Sequence, residues 1–413
     1  MTRDGERGIG PRTTRRGLLA ALGASGASAL AGCSGMFGES EETEPVTVDI
    51  DPSRDVGTPG WPVGHGDAGN TNAFPKGAGV GDSLALDWTV TLGGNAAAIP
   101  PVVRDDYAVT SNGWHQAYGM RTDGTVAWQN QYPNGVTTVP PAFVGDVVVL
   151  VADGDLVALD PTDGSQVWTA SLPGADTFAW LNGADDTVVA ATNLGVAAID
   201  AGDGTRRWYY QTGRETQSPP ALADGVVYAG SEDTYVYALD GASGAVRWRV
   251  KTEARVGSLA VAEGRVYAAT EDGVLYGLDA ASGTERWTAT LDGAPFTLAV
   301  TGGQLFVGVD ADRRTDHLRA VDADDGTLGW RTPAFSGSSL AAGVDALYAP
   351  VERDDEYGET LGVLDPTTGA VRAHLQTPDR TRVYRGPAVA DGGLYAAGLG
   401  RGGVLTAKVT SGN

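Results

Sequence analysis

A tryptophan that returns at a nearly fixed interval constrains this chain more than any other feature. From Trp88 the next come at Trp128, Trp168, Trp208 and Trp248, each 40 residues on, then 39 to Trp287 and 43 to Trp330. Most of them close one recurring stretch, such as Leu159-Asp160-Pro-Thr-Asp-Gly164-Ser-Gln-Val-Trp168 or Leu239-Asp240-Gly-Ala-Ser-Gly244-Ala-Val-Arg-Trp248. Met120 stands in the Asp place before Trp128, and a further copy with Asp365 and Gly369 reaches Ala373 where Trp is due. Such a period is the signature of a repeat architecture, in which each unit buries its apolar face only against its neighbours.

The residue types say what the stretch does. Asp at its first place bonds backbone two residues on and starts a turn. Gly four places later supplies a positive φ that a Cβ resists. The Trp then opens a strand. Burying one removes about 150–250 Å² from water, about 4–6 kcal/mol as an upper bound. Trp88, Trp128, Trp168, Trp208, Trp248, Trp287 and Trp330 therefore read as blade-to-blade packing rather than as ligand contacts.

Between these turns lie three more apolar strands per repeat. Residues 259–278 give a plain copy: Leu259-Ala-Val-Ala, Glu263-Gly264, Arg265-Val-Tyr-Ala-Ala-Thr, Glu271-Asp272-Gly273, Val274-Leu-Tyr-Gly-Leu. Asp272-Gly273, Asp153-Gly154 and Asn112-Gly113 are pairs that favour two-residue hairpin turns. Short strands with turns every 8–12 residues and no helical period predict an all-β chain, and four strands per repeat predict a propeller blade. Leu405-Thr-Ala-Lys408-Val-Thr-Ser-Gly412 matches Tyr237-Ala-Leu-Asp240-Gly-Ala-Ser-Gly244, with Lys in the Asp place, and no Trp strand follows it. Trp88 has a strand but no blade before it. The expected fold is an eight-bladed β-propeller of four-stranded antiparallel blades over residues 60–413, its ring closed by the N-terminal strand around Trp88 completing the last blade. Closure removes sheet edges that otherwise invite aggregation.

The N-terminus reads differently. Residues 1–33 hold Arg12, Arg15 and Arg16 before a run of fourteen apolar or small residues from Leu18 to Ala31, too short for the ~20 of a membrane-spanning helix. Arg15-Arg16 resembles the twin-arginine export signal, and Leu30-Ala31-Gly32-Cys33 resembles a lipobox whose Cys carries lipid after cleavage. A cleaved signal with an incidental Cys is the plainer alternative. Cys33 is the single cysteine, so neither a disulfide within the chain nor a multi-cysteine metal site is available. Residues 34–59, with Glu39, Glu41, Glu42 and Glu44, read as an acidic flexible tether.

Charge narrows the partners. Asp plus Glu number 52 against 29 Lys plus Arg, a net −23, and only Lys76, Lys251 and Lys408 are lysines. With no basic patch to neutralise phosphates, nucleic acid is excluded as a partner. Acidity with so little lysine resembles the proteins of salt-loving archaea, whose self-repulsion is screened over ~3 Å at 1 M salt. The melting temperature is accordingly expected to rise between about 0.1 and about 3 M NaCl; a thermal melt that does not move with salt would count against this.

The repeated Ala-Leu-Asp-x-x-x-Gly-x-x-x-Trp resembles the pyrroloquinoline-quinone (PQQ) type propellers, over residues 61–413. That family includes quinoprotein alcohol dehydrogenases and the outer-membrane assembly lipoprotein BamB. WD-repeat propellers share the period, but no Trp-Asp dipeptide occurs here. For the enzymes the resemblance implies a cofactor in the central funnel, calcium held by acidic and amide side chains, an Asp base and often paired cysteines. This chain lacks the cysteine pair and is shorter, and the resemblance assigns the calcium ligands and the base to no particular position in it. The resemblance thus favours the non-enzymatic branch, with no cofactor expected and no catalytic, cofactor or metal residue assigned. An archaeal envelope has no outer membrane to assemble, so BamB's own task is not carried over.

Other candidates are weaker. His65 and Asp67 lie in a Gly-rich lead-in, Trp61 to Asn72, where a metal site and simple packing on the propeller compete. Two hairpins are long: Asp310-Ala-Asp312-Arg-Arg-Thr-Asp316-His317 and Glu352-Arg-Asp354-Asp355-Glu356-Tyr357-Gly-Glu359. Their carboxylates suit calcium, yet neither has EF-hand spacing, and a solvated acidic hairpin is the favoured reading. His65, His115, His317 and His374 lie on separate segments. Trp114 and Trp180 fall outside the repeated position, and Trp114 follows a hairpin Gly, where an exposed aromatic anchors recognition. The expectation is an exported, lipid-anchored scaffold at the outer face of the cytoplasmic membrane that binds an envelope protein. A PQQ-dependent alcohol or sugar dehydrogenase and a polysaccharide-binding or sensing module are the alternatives.

Overall fold

The computed structural model describes residues 46–55, 60–92, 99–172, 178–311, 316–333, 335, 339–352, 359–377, 381–390, 392–400 and 403–412. Arg15, Arg16, Cys33 and the first part of the expected tether lie outside them. So do the tips of the two long hairpins.

Eight four-stranded antiparallel sheets make up the described chain. Blades 1 to 7 span residues 102–131, 142–170, 178–211, 221–251, 256–290, 294–332 and 341–374. Blade 8 takes Arg382–Ala390, Gly393–Gly400 and Gly403–Ser411 from the C-terminal end and Leu84–Thr91 from the N-terminal side. The closing pair runs from Leu84 opposite Ser411 to Thr91 opposite Leu405. This is the predicted ring closure.

Burial follows position in the blade. The second strand Val147–Ala152 is buried at every residue, because neighbouring blades cover both its faces, and so it reads as one apolar run. The outer strand Val246–Lys251 instead alternates exposed and partly buried residues, since one edge meets water. Each outer strand carries a bulge at the same place, as between Ala238–Trp248 and Leu239–Val246. The extra residue increases the local twist and re-aims the next side chain, here the tryptophan.

Each tryptophan docks on the following blade. Trp168 Nε1 donates to the Ala201 carbonyl at 2.7 Å, Trp208 to Gly241 at 2.7 Å and Trp248 to Ala280 at 2.9 Å, always the residue after the turn Asp. Trp88 reaches the Thr122 carbonyl at 3.1 Å in the same way, carrying the contact across the ring closure; Met120 lies opposite Val126 as Leu239 lies opposite Val246, so Arg121, and not Met120, holds the Asp place of that turn. The turn glycine lies under the indole: a Cβ on Gly244, whose φ is +71°, would sit 2.7 Å from Trp208 Cδ2. Glycine is therefore required twice over, by backbone angle and by space.

The sequence reading needs three further corrections here. Strand pairing sets Lys408 opposite Trp88, as Ala238 lies opposite Trp248, so Thr410 and not Lys408 holds the Asp place. Lys408 instead extends over the Tyr395 ring at 5.4 Å and donates to the Thr122 carbonyl at 3.3 Å, covering apolar surface with its stem. Among the expected two-residue turns only Asp153-Gly154 has positive φ at both residues; Asp224-Gly225 and Glu263-Gly264 do too, whereas Asn112-Gly113 and Asp272-Gly273 belong to longer loops. Residues 46–55, expected within the tether, are docked on the propeller. Val48 N–H donates to Thr367 O and Asp51 N–H to Gly302 O. Arg54 forks between Glu263 at 2.5 Å and Asp324 at 2.8 Å, and charge-assisted pairs of this kind hold a segment that composition alone marks as solvated.

Candidate functional site

The inner strand of every blade presents one unpaired edge to the central channel, and those backbone groups need partners. The lead-in supplies them in ring order. Trp61 exchanges two backbone hydrogen bonds with Val103 of blade 1, at 2.8 and 2.7 Å, and Pro62 O accepts from Phe143 of blade 2. Ala68 O accepts from Leu222 of blade 4, Gly69 O from Val261 of blade 5, and Thr71 O from Val300 of blade 6. Asn72 O accepts from Ala342 of blade 7, which returns a bond to Phe74 N–H. Blade 3 joins through a side chain: Asn182 Nδ2 donates to Ala68 O at 3.0 Å and to Asn70 Oδ1 at 2.9 Å.

The local sequence permits this path. Asn70 and Asn72 take left-handed φ of 57° and 49°, a region their short polar side chains tolerate. Their amides then reach inward, Asn70 Nδ2 to Pro219 O and Pro220 O, both at 3.0 Å, and Asn72 Nδ2 to Leu298 O at 2.7 Å. Gly69 must lack a Cβ, which would lie 2.5 Å from Val261 O.

The lead-in is thus the floor of a funnel. Pro140, Thr297 and Leu340 precede the inner-strand residues that the floor binds, so the funnel opens on the face where each blade's inner strand begins. It encloses about 150 Å³ between His65 and Asn72 below and Trp180, Thr138, Ser339 and Arg385 on the wall. Trp180 packs on His65 with centroids 5.0 Å apart and donates its indole N–H to Gln217 O at 2.6 Å. Asn72 Nδ2 lies 3.2 Å from His65 Nδ1; an amide nitrogen only donates, so Nδ1 accepts and the ring proton sits on Nε2. That Nε2 is buried without a hydrogen-bond partner, and burial lowers the His65 pKa to about 4.

Asp67 does not share a site with His65. Its carboxylate is buried and accepts from Thr71 N–H at 3.0 Å and from the Thr71 hydroxyl. Burial raises its pKa to about 6 against the opposing effect of those bonds. Packing, not metal binding, accounts for the pair.

The funnel does not offer the donor set that PQQ and calcium imply. Calcium takes 6–8 oxygen ligands, carboxylates foremost, and the described lining holds no Asp or Glu. Among the described residues no three of His, Cys, Asp and Glu converge as metal ligands. Small-molecule pockets are commonly about 300–1,000 Å³, larger than this one.

The remaining candidates are dispersed. Trp114 is 55% exposed at its hairpin tip, with its ring 5.0 Å from His115, whose Nδ1 lies 3.0 Å from Tyr132 O. His317 is fully buried at a strand start, its Nε2 2.9 Å from Asp292, which Arg331 also approaches at 3.4 Å. It is therefore a buried strand residue set beside the Asp292–Arg331 pair. His374 Nε2 lies 2.7 Å from the Gln376 amide on the outer strand of blade 7.

One recurring element escaped the sequence reading. Arg207, Arg247, Arg286 and Arg372 each reach back seven residues to the turn aspartate, at 2.6–2.8 Å. Arg247 holds the Asp240 carboxyl down at about 2. The signal was present as Arg immediately before Trp208, Trp248 and Trp287.

Comparison with known proteins places this architecture. No curated protein matches the chain. Among solved structures it is similar to BamB from Moraxella catarrhalis (TM-score 0.60, 20% identity, 79% of this chain and 99% of that one). It is also similar to quinohemoprotein alcohol dehydrogenase from Comamonas testosteroni (0.65, 13%, 87% and 82%) and to a europium-containing methanol dehydrogenase (0.67, 12%, 87% and 99%). At these identities the likeness is one of fold. The profile described as outer membrane protein assembly factor BamB matches residues 81–192, 192–308 and 232–413, well over half of the sequence, and the chain belongs to this family.

Proposed function

We propose that this protein is a non-enzymatic, protein-binding scaffold of the cell envelope. In this reading Arg15 and Arg16 direct its export, and a lipid on Cys33 holds it at the outer face of the cytoplasmic membrane. The observation that supports the scaffold most is the funnel floor: the chain's own residues 61–74 fill the channel where the quinoproteins named above would be expected to hold a cofactor. What remains is a shallow neutral-to-basic pocket beneath an exposed rim that carries Trp114. A rigid ring with such a rim is suited to docking another protein.

Titration of the full chain with PQQ and Ca²⁺, followed by tryptophan fluorescence, tests this. Trp180 lines the funnel, so an occupant there alters its emission. No saturable change is expected, and a photo-cross-linker at position 114 is expected to form adducts with an envelope protein on intact cells. Saturable, calcium-dependent quenching would overturn the scaffold in favour of a dehydrogenase. Adducts with polysaccharide instead of protein would overturn it in favour of a glycan-binding module.

A further inference from the structure

The face opposite the funnel mouth carries the hairpins that join each blade's first two strands, and it holds a row of similar seats between adjacent blades. Two of them are filled by the chain itself. Ile50 lies over Gly302 between blades 6 and 7, where a Cβ on Gly302 would approach it to 2.8 Å. Arg54 occupies the next seat, between blades 5 and 6, against Glu263 of one hairpin and Asp324 of the neighbouring turn. The following two seats in the row, over blades 4–5 and 3–4, are open cavities of about 310 and 330 Å³ that share Leu222, Ala223 and Asp224.

The repeat aligns these seats but changes two residues: Gly302 under Ile50 becomes Asp224 in the 4–5 seat, and Asp324 beside Arg54 becomes Ala242 in the 3–4 seat. Glu263, the hairpin residue at φ 50°, is matched 39 residues earlier by Asp224 at φ 49° and a further 39 earlier by Asp185 at φ 51°. Where Arg265 competes with Arg54 for Asp324, the 3–4 seat has Thr187. Its one cation, Arg207, pairs with Asp186 and Asp200. Asp185 and Asp224 are both exposed, and no ion pair engages either among the described residues.

We infer that the open half of this row binds an extended segment of a partner protein in which an apolar residue is followed four positions later by an arginine. The apolar residue takes the 4–5 seat beside Leu222 and Ala223; the arginine takes the 3–4 seat, where Asp185 stands as Glu263 does for Arg54 and Asp224 of the next hairpin supplies the second carboxylate in place of Asp324. The net charge of −23 favours a cationic guest, and a guanidinium gives the planar, multidentate pairing that carboxylates on two hairpins require. This deepens the scaffold reading by giving the chemistry of one partner segment.

The probe is a fluorescently labelled synthetic peptide with the sequence of residues 46–55 in which Asp49, Asp51 and Asp55 are replaced by asparagine, leaving the arginine as its charged side chain, added to the full chain and followed by anisotropy. Saturable binding is expected. Replacing the peptide's arginine with alanine, or introducing Asp185→Asn with Asp224→Asn in the protein, is expected to weaken it about tenfold or more. Asp324→Asn, which touches the resident Arg54 but neither open cavity, is expected to leave it unchanged. Absence of saturable binding would overturn the inference, and so would binding that responds to Asp324 but not to Asp185 and Asp224, because the peptide would then be displacing the resident segment. Neither result bears on the funnel titration, so the scaffold reading stands or falls separately.

Discussion

Trp208→Ala is expected to destabilise the propeller by about 3–5 kcal/mol, the range for removing a large buried aromatic side chain. Two losses combine. The indole is 7% exposed between blades 3 and 4, and its removal leaves a cavity there. The Gly241 carbonyl also loses the donor it holds at 2.7 Å. Gly244→Ala attacks the same contact from the other side, since its Cβ would meet Trp208 Cδ2 at 2.7 Å on a backbone at φ +71°. A double-mutant cycle by denaturant unfolding separates packing from coincidence. The indole is what the new methyl strikes, so the double variant is expected to be more stable than the summed single losses predict, by about 1 kcal/mol or more. Additive losses would mean that indole and turn do not pack on one another.

A second large effect is expected from the N-terminal side of the ring. A chain that begins at Lys76 keeps the closing strand Leu84–Thr91 but loses the lead-in, and with it the eight backbone bonds made to six inner strands. It is expected to remain a ring with a lower melting temperature. A chain that begins at Ala96 also loses the closing strand. Gly403–Ser411 then becomes an open edge, and the turn at Gly124 loses the indole of Trp88. Unpaired strands of this kind template association with other chains. Size-exclusion chromatography is expected to show monomer for the first and oligomer or aggregate for the second. A monomeric, cooperatively melting second variant would show that the ring does not depend on this closure.

The architecture was legible because repetition averages out local ambiguity. Seven tryptophans at near-constant spacing specify the blade, the turn and the count together, and the unmatched ends specify the closure. What was not legible lies where the chain is used once. Residues 61–74 have no period, and nothing in Gly64-His65-Gly66-Asp67 says that a channel surrounds it; the asparagines at 70 and 72 gain meaning only beside the carbonyls of Pro219 and Leu298. Arg54 reads as a charge in a polar stretch until Glu263 and Asp324, distant in sequence, are set on either side of it. At Lys408 a two-residue slip went unnoticed, since the composition of the last turn fits either alignment and only pairing with Trp88 decides. Trp114 was placed correctly at an exposed tip by its hairpin glycine, whereas Trp180 gave no sign that it faces the funnel.

The pairing of Leu84–Thr91 with Gly403–Ser411 also governs how the molecule comes to be folded. The two partners are more than 300 residues apart in the chain, and contacts of such separation must overcome loop-closure entropy before they contribute. Seven blades can assemble from neighbouring sequence as synthesis proceeds, each waiting for the next tryptophan seat. The eighth cannot, because its fourth strand is among the first made and its other three among the last. Until the final strand is released the nascent ring has two open ends, and the N-terminal strand must be kept unpaired throughout. The ring is therefore completed only once Gly403–Ser411 is available, in a closing step whose rate sets how long the unfinished ring is exposed to aggregation and proteolysis.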